Sequence, residues 1–561
     1  MTDITSDETV TPVVNAAKYD RQLRLWGDQG QKCLEKAQVC LINATTVGTE
    51  TLKNLILPGI GSFTVIDSNL VTARDLGNNF FVTRDDVGKP RASVVCENLQ
   101  ELNPDVRGIA IEESLDCILE KTSDFFIDYS IVLACLPLSE SALKRLAESL
   151  WHRNIPLIIP RVCGFWACIR MVFKSHYVIE AHPEAVIHDL RLDKLDHIPG
   201  LREFADSQDL DTMRREKHSH TPYLILLIKF LDQWYINEGC TEMPLKYKDK
   251  KRFQELLAAG VKTKDADSEG PEDEENFNEA SKAVNTAFIR TTVPQNVQNL
   301  FEHEACLNIS AESPDFWIIV RAIKQYVVSE EGKGCLPLSG TIPDMTSDSE
   351  RYIKLQSLYQ EAAKTASTHV AKHVGEILRS IGRSQDSISF AEIRRYCKNA
   401  PGLEMINTSS LKVEFENADV QCNVANRLLK FLPMAGENDP TNLFNIYLLF
   451  LASDEFYSLN QRYPGDCDSK NCESDVLQLK QCISNVVSRL NGSSSPSHFS
   501  MPNDLVTEMV RFGGASLHVT GSYLGGVASQ EVIKLLTSQY VPFADLYVWD
   551  GISCTSESFK F

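Results

Sequence analysis

Over the first 180 residues, short apolar runs alternate with segments of helical period. Val39-Cys40-Leu41-Ile42, Ser62 to Ile66, Ile131 to Ala134 and Pro156 to Ile159 read as short strands, the last two fully buried. Between and around them, Gln29 to Ala37, Thr49 to Leu57, Ala92 to Leu102 and Leu143 to Trp151 carry apolar residues at helical spacing. Strands alternating with helices of this length predict a doubly wound α/β fold with a mainly parallel sheet. From about Leu190 the texture changes to long amphipathic helices, among them Thr221 to Tyr235, with Thr221 as N-cap and Pro222 opening the helix, and Tyr352 to Ile381. The strand-and-helix grammar returns near the end, where Gly525-Gly526-Val527-Ala528-Ser529-Gln530-Glu531 opens a helix to about Thr537 and Asp545 to Trp549 forms a strand. The pattern therefore predicts one α/β domain in two parts, 18–180 and 499–561, interrupted by a mainly helical insert at 181–498. Residues 1–17 read as a disordered start, 265–279 as a solvated acidic loop, and Asn491 to Ser497 as a Ser-rich hinge.

Charge and cysteine usage narrow the function. Among 561 residues, 56 Lys and Arg face 76 Asp and Glu, a formal charge of −20 that argues against a nucleic-acid or anionic-membrane binder. The 16 cysteines contain no C-x-x-C pair, so they read as reduced thiols of an intracellular protein, cytoplasmic or nuclear, rather than as a zinc site. No transmembrane segment is expected, because the longest apolar run, Tyr223 to Leu231, is short and broken by Lys229. His218-Ser219-His220 offers two histidines without a third ligand, which favours polar helix-start residues over a metal pair, and no metal site is expected.

The turn after the first strand carries the most information about chemistry. Where a nucleotide-binding βα unit places G-x-G-x-x-G, this chain has Asn43-Ala44-Thr45-Thr46-Val47-Gly48. The first two glycines of that motif let backbone approach phosphate without a Cβ in the way, and here Asn43 and Thr45 put side chains there. Gly48, the position that packs helix on strand, is kept. Asp67 ends the second strand about 20 residues on, where an acid holds a ribose hydroxyl in nucleotide folds, although a strand-end acid is also ordinary turn chemistry.

Four further segments give the pattern a family. Tyr19-Asp20-Arg21-Gln22-Leu23-Arg24-Leu25-Trp26-Gly27, Leu57 to Asp67, Leu336 to Met345 and the Gly525 to Lys534 helix, in this order and spacing, resemble ubiquitin-like-protein activating enzymes. The likeness runs from about residue 18 to the end, and it is to the regulatory-subunit family of heterodimeric neddylation-activating enzymes. The resemblance implies a Rossmann-like, ThiF-type adenylation fold. It also implies a complex that uses ATP and Mg²⁺ to adenylate the C-terminus of a Nedd/Rub-type modifier, then passes the acyl group to a cysteine of the catalytic subunit as the first step of cullin neddylation.

Compared residue by residue, the family's nucleotide machinery is mostly missing. The phosphate-binding Asn-Arg-Gln-Phe run is replaced by Asn78-Asn79-Phe80-Phe81, and the metal-binding Asp has no counterpart in Ala134-Cys135-Leu136-Pro137. Lys89, in Gly88-Lys89-Pro90-Arg91, and Asp67 match. The Pro-x-Cys-Thr context of a thioester cysteine is absent; Cys467 lies between two acids and Cys554 near the C-terminus, so no catalytic residue is expected in this chain. What the resemblance leaves is Arg21, whose family counterpart reaches across the dimer to the γ-phosphate of ATP in the partner subunit, a task suited to a forked, permanently charged guanidinium. The segment Gly332, Leu336, Pro337, Leu338, Gly340, Thr341, Ile342, Pro343, Asp344 and Met345 is apolar and non-helical, so it packs on the chain's own core or on the catalytic subunit, and the family favours the partner. The expectation is a regulatory subunit that binds no cofactor alone. The alternatives are a self-sufficient adenylyltransferase of the same fold and a non-enzymatic scaffold.

Overall fold

A computed structural model describes residues 18–122, 124–262, 274–415, 440–466, 472–491 and 499–561. The N-terminal 1–17, the acidic loop up to residue 273, Cys467 and the Ser-rich stretch after Asn491 lie outside the described residues. The chain divides into two compact units, one built from Met1–His176 with Met405–Phe561 and the other from Tyr177–Glu404.

The first unit is organised on an eight-stranded sheet. Its strands are β1 (Gln38–Ile42), β2 (Ser62–Ile66), β3 (Arg107–Ile111), β4 (Ile131–Ala134), β5 (Leu157–Cys163), β6 (Trp166–Val172), β7 (Leu546–Asp550) and β8 (Thr555–Phe559), in the order β8-β7-β6-β5-β4-β1-β2-β3. β1 to β5 are parallel, whereas β6, β7 and β8 continue the sheet antiparallel. Val39 to Ile42 and Ile131 to Ala134 are buried throughout, as strands covered on both faces must be. The strand order reverses between β1 and β4, and at such a switch point the diverging loops open a crevice at the carboxyl ends of the strands.

The C-terminal helix His518–Thr537 lies along the Thr46–Ile56 helix in close backbone approach. A Cβ on Gly525 would stand 2.7 Å from the Cβ of Glu50, so only glycine admits this contact. Buried Glu50 is satisfied there by Lys53, by Ser522 Oγ at 3.0 Å and by His518 at 3.3 Å. The last 60 residues thus complete the unit begun by the first 180.

The insert is shorter than the sequence pattern predicted. Helices Phe444–Asn460 and Cys472–Asn491 share one apolar core with Trp166, Cys168, Leu546, Val548 and Phe559 of the sheet, so 405–498 belongs with the α/β unit rather than with the helical one. The reason lies in the Phe444–Asn460 helix, whose residues 444–453 are all buried; a helix apolar all round needs covering on every side. Helical period alone does not say which layer a helix joins.

The Tyr177–Glu404 unit is helical, built around Tyr223–Glu238 and the 32-residue helix Ser349–Ser380. Thr221 is not an N-cap; the helix opens at Tyr223 after Pro222, and Thr221 is fully buried with its hydroxyl donating to Lys217 O. His218 faces Glu274, with Nδ1 at 2.8 Å from the carboxylate, and stacks on Phe277, an interior polar pair. Leu336, Pro337 and Leu338, expected at a partner surface, are buried, Leu338 in this unit's own core, and Arg191 donates to Leu336 O. Gly332 and Gly340 are buried as well, which leaves Thr341 and Asp344 exposed and Ile342, Pro343 and Met345 half-buried. A proline-punctuated apolar segment looks the same in sequence whether it closes its own core or waits for a partner.

One buried group gives the first unit a pH dependence. His176 sits against Phe173, and burial pulls its pKa down from 6.5 to about 4. The unfolded chain therefore binds a proton below pH 6.5 that the native state refuses, so this contribution is complete above pH 6.5 and is lost as pH falls toward 4. The slope is about 1.4 kcal/mol per pH unit and the total about 3 kcal/mol. His176→Leu is expected to lose less stability than the wild type between pH 7 and pH 5 in urea unfolding; equal losses would refute the assignment.

Candidate functional site

The switch-point crevice contains the turn that the sequence singled out, and its polar groups are turned on one another. Asn43 takes up the left-handed conformation, φ 62°, and its Nδ2 donates to Cys135 O at 2.9 Å and Pro137 O at 2.8 Å. The side chain that replaces the first glycine thus ties the turn to the end of β4. Gly48 does pack helix on strand, since a Cβ there would lie 2.6 Å from Leu41 Cδ1 and 2.9 Å from Cys135 Sγ. Asn79, where the family carries arginine, donates to Ala44 O at 3.1 Å and accepts from Phe81 N at 3.1 Å. Phe80 beside it is exposed.

Asp67 is fully buried and saturated. One carboxylate oxygen accepts from Ala44 N at 2.8 Å and Arg91 Nε at 2.7 Å, and the other accepts from Asn69 N and Nδ2, both at 2.9 Å. Arg91 continues to Asp75 at 3.1 Å. Lys89 is paired with Asp86 at 2.8 Å on the surface, and that ion pair raises the lysine. In sequence Asp67 reads either as a ribose ligand or as ordinary turn chemistry, and Arg91 has no reading of its own. Two cations astride Pro90 were visible in the chain, but nothing in the spacing said that the second turns back to the acid.

A cavity of about 310 Å³ lies at these strand ends. Three arginines line it, and each has a carboxylate partner: Arg74 forms a bidentate pair with Asp466 at 2.9 and 2.7 Å, Arg91 holds Asp67 and Asp75, and Arg161 holds Asp454. At the end of β4, where the family carries its metal carboxylate, stands Cys135, whose thiol burial pushes up to about 12. ATP with Mg²⁺ needs free cations for its phosphates and a carboxylate for its metal. The residues present do not fit that group.

Several of the described thiols are held away from the thiolate form by burial. Burial pushes Cys163, Cys168 and Cys397 up to about 12, and among the described cysteines that shift, none moves down toward the thiolate. Cys554 is exposed on the loop between β7 and β8, with Sγ toward Gly551 O. Among the described residues no cluster of His, Cys, Asp and Glu could hold a metal ion, and no helix is long and apolar enough to cross a membrane.

Arg21 is mounted differently. It lies on the Asp20–Lys36 helix, exposed and with no side-chain ion pair or hydrogen bond among the described residues, although its neighbour Arg24 pairs with Asp20 at 3.0 Å. The helix beneath is held firmly: Lys18 pairs with Asp105 at 2.7 Å, Asn103 donates to Tyr19 OH at 3.1 Å, Gln31 donates to Pro58 O at 3.0 Å, and Gln539 donates to Trp26 O at 2.8 Å. The result is a free guanidinium on a fixed support, outside the lining of the chain's own cavity.

A sheet of this order with a glycine-packed first turn is a doubly wound, Rossmann-like frame, and comparison with known proteins narrows it to a family. The ThiF family model matches residues 19–560. The NEDD8-activating enzyme E1 regulatory subunits of Gallus gallus and Xenopus laevis are each 42% identical, over 97% and 98% of this chain and 98% and 99% of their own lengths. The NEDD8-activating enzyme E1 regulatory subunit AXR1 of Arabidopsis thaliana is 36% identical over 99% of this chain and 98% of its own length. The chain belongs to the ThiF family and, within it, to the NEDD8-activating enzyme E1 regulatory subunits.

Proposed function

We propose that this chain is the regulatory half of a heterodimer that uses ATP to adenylate the C-terminus of NEDD8 and passes it to a thioester on a catalytic subunit. ATP, Mg²⁺ and the reacting cysteine belong to the partner, and the chain works in the cytoplasm or nucleus, where thiols stay reduced. The observation that carries the reading is the saturation of Asp67 and Asn43: the two groups a nucleotide would displace are each bound twice or more within the fold. Displacing them would leave buried polar atoms unpaired, each costing about 1–3 kcal/mol.

The chain's own contribution is Arg21, presented in trans to the triphosphate of the partner. Leu25 on the same helix is 61% exposed, and Val519 and Tyr523 on the neighbouring His518–Thr537 helix are 66% and 41% exposed. Apolar exposure beside a free cation suits a surface that a second subunit covers. Thr341 to Met345 is a second candidate contact for the same subunit, now limited to its exposed and half-buried residues.

The test is modifier-dependent ATP–pyrophosphate exchange. The full chain alone is expected to give no exchange, the catalytic subunit alone a low rate, and an equimolar mixture the full rate. Exchange by the isolated chain would restore the reading of a self-sufficient adenylyltransferase, and a mixture no faster than the catalytic subunit would reduce the chain to a scaffold.

A further inference from the structure

We propose that the outer face of the Tyr247–Ala259 helix, in the Tyr177–Glu404 unit, is a docking surface for a short acidic segment of a partner protein. This goes beyond the exchange reaction and uses neither Arg21 nor the switch-point cavity.

The stretch Lys246 to Arg252 carries five cations and one acid in a chain whose formal charge is −20. Folding sorts them. Phe253 and Leu257 are buried in the core of the unit and fix which side of the helix faces inward, and half-buried Lys250 donates to Asn285 O at 3.0 Å. Lys246, Lys248, Lys251 and Arg252 are left exposed. Arg252 answers Glu238, whereas Lys246, Lys248 and Lys251 form no ion pair among the described residues.

Nothing in the helix itself favours this arrangement. Cations at the start of a helix stand at the positive end of its dipole, and Asp249 is the one acid in the first turn. Lys248 lies three residues before Lys251 and four before Arg252, the spacing that brings like charges together on one face. A local rule broken on an exposed face, with no compensating contact in the fold, marks a surface kept for another purpose. Tyr247 stands among these cations, 73% exposed, with Lys251 Nζ 5.5 Å from its ring centroid. A ring beside unanswered lysines offers an acidic segment one apolar contact and several charged donors.

Charge and reach decide which polyanion fits. Residues 246 to 252 span about 9 Å of helix axis, and at physiological salt charges are screened over about 8 Å. A segment with a few Asp or Glu side chains therefore feels the patch and little else. A nucleic acid or an anionic bilayer extends far beyond it and meets the surplus acids of the remaining surface.

Fluorescence anisotropy of a fluorescein-labelled, Glu-rich peptide with one central Phe tests this on the full chain. At about 50 mM salt a Kd below about 100 μM is expected, weakening at least about tenfold by about 300 mM. The same peptide with Gln in place of Glu is expected not to bind. Reversing three charges at once, Lys246→Glu with Lys248→Glu and Lys251→Glu, is expected to weaken the peptide at least about tenfold. That variant is expected to fold as well as the wild type, because acids suit the start of a helix. Tyr247→Ser is expected to weaken the peptide about threefold. No saturable binding up to about 1 mM, equal binding of the Gln peptide, or an unchanged affinity in the folded triple variant would each overturn the proposal. So would oligodeoxythymidylate or phosphatidylserine vesicles bound as tightly as the peptide, since the face would then attract any polyanion.

Discussion

Arg21→Ala in the assembled heterodimer is expected to slow modifier-dependent ATP–pyrophosphate exchange by about 10²–10³-fold, the usual cost of removing one donor that stabilises transition-state charge. Co-purification with the catalytic subunit is expected to be unchanged. The structure separates the two effects because the Arg21 side chain is exposed and no ion pair or hydrogen bond ties it to the described residues, and surface truncations of that kind usually stay within about 0.5 kcal/mol of wild-type stability. The segment that carries it is anchored through Lys18, Tyr19 and Trp26, which limits what a guanidinium reaching phosphate in trans loses on being held in place. Arg21→Lys is expected to recover only part of the rate, since an ammonium keeps the charge without the forked pair of donors. Arg24→Ala is the matched control, a cation one turn on that already answers Asp20. A wild-type rate in Arg21→Ala would remove the in-trans role and leave the chain's membership of the regulatory-subunit family untouched.

How much of this was legible in the chain differs from residue to residue, and the differences have physical causes. The parallel strands were legible because a strand covered on both faces becomes an unbroken apolar run, and Ile131 to Ala134 is one. Gly48 was legible because the contact it makes, with Leu41 and Cys135, excludes any side chain. Asp67 was visible as a residue but not as an interaction. A strand-end acid that holds a ribose and one that accepts Arg91, Ala44 and Asn69 have the same sequence signature, and only the fold brings Arg91 back to it. The same holds for Leu336 and Leu338, whose apolarity demands burial without saying against what. The Phe444–Asn460 helix falls within the stretch read only as a mainly helical insert, and its layer is set by Trp166, Leu546 and Phe559, residues distant in the chain. Arg161 carried no local signal at all, because its partner Asp454 lies 293 residues on.

Arg170→Ala is expected to destabilise the α/β unit by about 3–5 kcal/mol, the range for removing one member of a buried ionic network. Arg170 is fully buried on β6, where its Nε donates to Glu414 at 2.6 Å, its Nη2 to Ser409 O at 2.9 Å, and its Nη1 to Met171 O. Its guanidinium lies 5.0 Å from the Phe561 ring centroid. Asp545, 3.4 Å from Nη1, accepts from Phe561 N at 2.8 Å and from Ser409 N. One cation therefore ties residues 409 to 414 and the C-terminal residue to the sheet. Truncating it strands the carboxylates of Glu414 and Asp545 in the interior, and Glu414 Oε2 already lacks a partner. The penalty is one of unpaired buried charge, so the double variant Arg170→Met with Glu414→Leu is expected to be clearly more stable than Arg170→Ala, although it lacks two charges rather than one. Urea unfolding followed by tryptophan fluorescence reads the loss, and trypsin cleavage near residues 409–414 reads its location. A loss below about 1 kcal/mol in Arg170→Ala, or a double variant less stable than the single, would mean that packing around Phe561 rather than the ionic network holds the two chain segments together.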